Sequence, residues 1–287
     1  MRFAICYGVN VLHPTSADAA LYQQYLANSL TAPASRRNYL SGARIWIQER
    51  GGDPSGFQSY ESLAVAKGAI RLNPHIPKPA PALTPLDLQR VCTYLDMAAD
   101  GPPLKAALCI GYFAFLRASN LLSPTASLWG GPHTLLKRDI VTTNDGLYVV
   151  IRSSKTIFLG SEPIVLALPK IDNSPACPTQ AWISYTDFRR GSPFEPAFTL
   201  GSGRPVTPTQ LTAVVRQALK QLDCPYAAQF SGHSLRRGGT HAALQAGCNK
   251  SDIASHGTWA KESGMKPYLP SNASLSVANK LATLFGT

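Results

Sequence analysis

Apolar residues in the first quarter of the chain recur every three to four positions, the period of a helix with one buried face. Leu21, Tyr25 and Leu26 follow Ser16 and Asp18, either of which can cap a helix start. Tyr39, Leu40, Ile45 and Trp46 repeat the pattern behind Ser35, a second candidate cap, until Gly51-Gly52-Asp53-Pro54 stops it. A third helix is predicted over roughly 59–71. Then Pro74, Pro77, Pro79 and Pro81 fall within nine residues, which makes a stiff, extended connector and the clearest boundary in the chain.

Beyond the connector, Thr84-Pro85 has the cap and first-turn chemistry of a new helix, predicted to reach about Ala98. The run 103–122 is apolar on all sides and predicts one buried helix. Lys105 and Arg117 interrupt it, and the centre of a membrane span rarely tolerates such charges, so a soluble protein is expected. Residues 147–152 and 163–168 are β-rich runs with a turn-prone segment between them, predicting a small antiparallel hairpin. Helices are expected again from Cys177-Pro178, over 207–222 and over 233–246, with Gly247 at a C-cap position. The pattern therefore predicts a mostly α fold with a small antiparallel β-sheet. It divides into a helical domain (1–72), a proline-rich linker (73–82) and a larger domain (83–287).

Charge narrows the partners. Lys and Arg total 27 against 16 Asp and Glu, a formal +11 with a pI near 9.5, and an excess of that sign favours a polyanion. It is spread over both parts, +4 in residues 1–82 and +7 in 83–287, so a broad positive surface is expected rather than a basic tail. The six cysteines form no C-x-x-C pair and no zinc spacing, which predicts a reducing compartment and no structural metal. Met1–Val11 lacks a signal peptide's apolar stretch, so the chain is not expected to be secreted.

The candidate chemistry lies near the end. His233 and Arg236, in Ser231-Gly232-His233-Ser234-Leu235-Arg236-Arg237-Gly238-Gly239, are three residues apart and share a helix face, so both can address one anion. Trp259 adds an N–H donor, and Tyr268, nine residues later, is a candidate nucleophile. An H-x-x-R alone is common and usually structural, and this chain has 11 tyrosines, so the weight rests on the ordered set. Arg117 ends the most apolar run with no acid within one turn, and a buried arginine without an anion is costly. Lys155 sits in the turn of the predicted hairpin; a lysine there is usually just solvated, but it can also reach a neighbouring groove as a general acid. Such cations suit in-line phosphoryl transfer, where negative charge builds on the equatorial oxygens.

Arg117, Lys155, His233, Arg236, Trp259 and Tyr268, in that order, resemble the active-site set of the tyrosine recombinases, the phage-integrase family. Ser154-Lys155-Thr156, Ala176-Cys177-Pro178, Gly232-His233-Ser234-Leu235-Arg236-Arg237-Gly238 and Gly257-Thr258-Trp259 are most similar to eukaryotic transposon-borne members of the Crypton and DIRS-like type. The resemblance covers nearly the whole chain. It implies a core-binding domain (1–72) and a catalytic domain (83–287) closing as a clamp on double-stranded DNA. It further implies a 3′-phosphotyrosine intermediate on Tyr268, no cofactor, metal or ATP, and no small-molecule or membrane partner. A dimer on each site, a tetramer in synapsis and, in a eukaryote, a nuclear location complete the expectation. The family often has an acid three residues after its first arginine, where this chain has Asn120. Two rival readings are a type IB topoisomerase and a non-catalytic DNA-binding descendant.

Overall fold

Ser or Thr side chains cap five of the described helices. In a computed structural model, which describes residues 2–74, 79–126, 134–153, 162–259 and 264–265, the chain divides into two compact units, Met1–Pro79 and Ala80–Thr287.

The first unit is all helical: α1 (Arg2–Tyr7), α2 (Ser16–Ser29), α3 (Pro33–Gln48), a 3-10 turn (Ser55–Gln58) and α4 (Tyr60–Leu72). The cap of α2 is Thr15, not Ser16 or Asp18. Its hydroxyl accepts from the Asp18 N–H (3.2 Å), while the Asp18 carboxylate accepts from the Thr15 N–H (3.0 Å), a reciprocal capping box. Ser35 lies inside α3, which starts at Pro33, a residue whose missing N–H suits the first turn. The α4 cap is Ser59. Ala19, Ile47 and Phe57 form the fully buried centre, with Tyr22, Leu40 and Trp46 packed around it. Gln23 Nε2 donates to Ser62 Oγ (3.5 Å), and buried Arg36 donates to the carbonyls of Leu30 and Thr31.

The second unit is built around α6 (Gly101–Phe113), in which the residues from Ala106 to Phe113 are all buried. Against it pack α5 (Pro85–Asp96), α8 (Pro178–Phe188) and α10 (Gly232–Gln245), with α9 (Pro208–Gln221) packed on α5 and α11 (Lys250–His256) following α10. Lys105, one of the two charges in the apolar run, pairs with Asp96 of α5 at 2.6 Å. The other charge marks a departure from expectation. The helix does not run to 122: it ends at Phe113, Phe115 takes φ +50°, and a short α7 (Ala118–Leu121) follows with Arg117 at its cap.

The sheet has three antiparallel strands in the order β1 (Ile140–Thr143), β2 (Gly146–Ile151), β3 (Ile164–Pro169). Gly146 pairs with Pro169 and Ile151 with Ile164, so the two expected strands are there and β1 is an addition. Leu147, Val149, Ile151, Leu166 and Leu168 face the core, while Tyr148 and Val165 alternate outward. The Arg152 guanidinium pairs with buried Asp139 at the foot of the sheet. Among the described residues, no helix is long and apolar enough to cross a membrane.

Candidate active site

Ser231 starts α10 with its hydroxyl accepting from the His233 N–H (3.3 Å) while Ser234 Oγ accepts from the Ser231 N–H (3.1 Å). This places His233 in the first turn, where the helix dipole favours an anion. Arg236 follows one turn later at 1% exposure. Three glycines let α10 sit close to its neighbours. A Cβ on Gly232 would lie 2.8 Å from Ala118 Cβ; one on Gly238, 2.3 Å from the Leu83 carbonyl oxygen; one on Gly239, 2.2 Å from the Tyr112 carbonyl oxygen. The Leu83 N–H in turn donates to the Ser234 carbonyl at 3.2 Å, fastening the start of this unit to the helix.

Arg236 is fixed from three sides. Its Nη1 donates to the Phe115 carbonyl at 2.5 Å, its Nη2 donates to the Gly257 carbonyl at 2.7 Å, and its guanidinium carbon lies 3.7 Å from the centre of the Trp259 ring. Cation–π stacking of this kind holds an arginine without neutralising it. Trp259 folds back over Gly257, where any side chain would meet the indole, and the Trp259 backbone N–H donates to the Ala254 carbonyl at 2.9 Å. The indole thus meets Arg236 through its face.

Arg117 comes to the same place along a different route. The Gly232–Ala118 contact sets the start of α10 against the residue after Arg117. Burial holds the His233 imidazole below its ordinary pKa, and the Arg117 and Arg236 charges lower it further. His233 is therefore a neutral donor or acceptor at neutral pH, with the Arg117 and Arg236 charges near it. No carboxylate among the described residues pairs with Arg117, and Asn120 is buried beside it in sequence with its amide oxygen accepting from Ser119 Oγ (3.4 Å). Two arginines and an imidazole brought together suit an oxyanion.

Lys155 and Tyr268 lie outside the described residues. Two other tyrosines are tied into the fold. The Tyr226 hydroxyl donates to the Asp87 carboxylate, and burial followed by that bond pushes its pKa up; burial does the same to Tyr112. Among the described residues no group of three His, Cys, Asp or Glu is placed to hold a metal. Cys92 and Cys109 form a buried thiol pair at 3.4 Å, and the Cys92 contact, then burial, pushes the Cys109 thiol up. His256, just before Gly257-Thr258-Trp259, is a residue of the site that the ordered set of cations does not include; its Nε2 lies 2.7 Å from the Phe113 carbonyl.

No family model and no curated protein matches the chain. Solved structures do. The XerH site-specific recombinase bound to its difH substrate superposes with a TM-score of 0.54 at 13% identity, over 90% of this chain and 68% of that one. The Tn1549 transposon integrase in complex with circular intermediate DNA gives 0.54 at 13% identity, over 90% and 82%. The same integrase in complex with transposon right end DNA gives 0.55 at 13%, over 90% and 82%. At such identity the likeness is one of fold: the helical body with its small three-stranded antiparallel sheet is the fold of the tyrosine recombinases.

Proposed function

We propose that this chain is a DNA strand-exchange enzyme, a site-specific recombinase or transposase that cuts and rejoins DNA through a 3′-phosphotyrosine on Tyr268. The observation that carries the reading is the nearness of the Arg117 and Arg236 charges to His233, on a fold shared with recombinases and integrases. In this mechanism the Tyr268 oxygen attacks a backbone phosphorus and the bond to the 5′-oxygen breaks. The 3′-phosphate stays on the tyrosine, and Lys155 gives the leaving oxygen its proton. The guanidinium groups of Arg117 and Arg236 bind the non-bridging oxygens as their charge grows. The carbonyls and indole around Arg236 fix its geometry before DNA arrives, so little reorganisation is left for the transition state. His233 and Trp259 complete the cradle. A free 5′-hydroxyl of a partner strand then attacks the phosphotyrosine, and because that bond conserves the phosphodiester energy the cycle needs no ATP.

The finer reading rests on the sequence resemblance. In it the chain is mobile-element-borne, of the Crypton or DIRS-like type, acts in a nucleus as a dimer on each site and a tetramer in synapsis, and uses the first unit as its core-binding domain.

The test is incubation with nicked suicide duplexes spanning candidate element ends, read on denaturing gels. The native chain should give a covalent protein–DNA adduct, Tyr268→Phe none, with DNA binding retained in both. Arg117→Ala and Arg236→Ala should each slow single-turnover cleavage by about 10²–10³, the usual loss for one transition-state donor. Binding without any adduct would leave the non-catalytic descendant as the reading, and an adduct mapped to Tyr226 would overturn the assignment of the nucleophile.

A further inference from the structure

The residues around Arg236 belong to two turns. One, Phe113–Leu116, leads from α6 into Arg117; the other, His256–Trp259, leads from α11 toward Tyr268. Arg236 bridges them through the Phe115 and Gly257 carbonyls. His256, the last residue of α11, makes a second bridge. Its Nε2 lies 2.7 Å from the Phe113 carbonyl, and its ring meets the Phe115 ring edge-on with centroids 4.8 Å apart.

Each contact meets a specific need. The Phe113 carbonyl belongs to the last turn of α6, and the His256 ring nitrogen lies within hydrogen-bond distance of it. Phe115 stands at φ +50°, a conformation unfavourable for a side chain of its size, so the surrounding packing must hold it there. His256 supplies both the donor and part of the packing. A carbonyl only accepts, so Nε2 carries the hydrogen. Burial holds the imidazole below its ordinary pKa, so it remains neutral near pH 7.

We infer that His256 is a positioning residue of the reaction: through the Phe113 carbonyl and the Phe115 ring it sets the turn that delivers Arg117 to the phosphate, in register with the Trp259 turn. The inference rests on the recombinase reading of the site. His256 itself touches no substrate; it acts by locking one turn to the other.

The experiment measures single-turnover adduct formation by the full chain on a nicked duplex, with DNA affinity and melting temperature measured alongside. His256→Leu keeps an apolar group of similar bulk and removes the donor. It should cleave roughly 10- to 100-fold more slowly at unchanged DNA affinity, the scale expected when a supporting contact lets a catalytic group move by about 1 Å. His256→Gln places an amide N–H near the position of Nε2 and should recover most of the rate, which also covers the case in which the leucine variant folds poorly. In an Arg117→Ala background His256→Leu should add almost nothing, because the group it positions is gone. Wild-type rates in His256→Leu, no recovery in His256→Gln, or slowing that multiplies with Arg117→Ala would each overturn the assignment. If the native chain forms no adduct while still binding DNA, the recombinase reading itself fails; the proposal fails separately if the native chain cleaves and the variants break this pattern.

Discussion

Gly239→Ala tests whether the close approach of α10 to the end of α6 is what assembles the cation cluster. The added methyl would lie 2.2 Å from the Tyr112 carbonyl oxygen and 2.6 Å from the Phe115 ring, where ordinary contact begins near 3.4 Å. Backbone stands on one side and a packed ring on the other, so the two helices must part by about 1 Å, an overpacking worth about 2 kcal/mol. For a unit of this size, at roughly 2–4 °C per kcal/mol, the melting temperature should fall by about 4–8 °C. The functional loss should be larger. The Arg236–Phe115 bond spans this gap, and a shift of about 1 Å in a catalytic group costs on the order of 10² in rate. The assay pairs scanning calorimetry with the adduct gel. Val215→Ala, a comparable loss of packing on the buried face of α9, serves as the control and should lower the melting temperature while sparing cleavage. Gly68→Ala in α4 has open space around the new methyl and should stabilise by about 0.5–1 kcal/mol. A Gly239→Ala protein with native melting and native cleavage would refute the reasoning. Equal slowing in Val215→Ala would show that cleavage follows global stability, not the helix contact.

Three further predictions are independent of that one. Lys155→Ala should cleave normal DNA slowly and recover when the bridging 5′-oxygen is replaced by sulfur, a leaving group that needs no proton; equal slowing on both substrates removes Lys155 from acid catalysis. Burial and the two arginines depress the folded-state pKa of His233, so the unfolded chain binds the extra proton; stability should be fully present above the ordinary value of 6.5 and fall as pH drops below it. His233→Asn should flatten that fall in denaturant midpoint, and an unchanged pH profile would count against the electrostatic assignment. Thr15→Ala breaks the α2 capping box at a cost of about 1 kcal/mol, which should quicken amide exchange in the first turns of α2; native exchange there would mean the cap contributes nothing.

What could be read from sequence was local. Thr84-Pro85, Ser59, Cys177-Pro178 and Thr207 mark helix starts because a cap needs only its own next three residues. Pro33 was the better signal for α3 than Ser35, and α11, for which no helix is predicted, is marked by Asn249 with Asp252 three residues on. Strand β1 had one too, since Ile140-Val141-Thr142-Thr143 runs straight into Asn144-Asp145-Gly146. The break after Phe113 had none. Ala-Phe-Leu-Arg-Ala-Ser favours a helix, and what stops it is the packing of Phe115 against Gly239 and His256, far away in sequence. For the same reason the nearness of Arg117 to His233 was legible only through resemblance, because no periodicity links residues more than a hundred positions apart. The carbonyls of Phe115 and Gly257 that grip Arg236 leave no trace in side-chain identity at all.

The bond from the Leu83 N–H to the Ser234 carbonyl also decides where this chain can be cut. Leu83 is completely buried, its backbone fills the notch left by Gly238, and the next residue caps α5. A fragment that starts at Ala80 carries this plug with it. One that starts at Pro85 loses the plug and the cap together, exposing the flank of the helix that bears His233 and Arg236. Truncation libraries of the second unit should therefore show a sharp edge between these two start points, with soluble, cooperatively melting protein on one side of Leu83 and aggregation on the other.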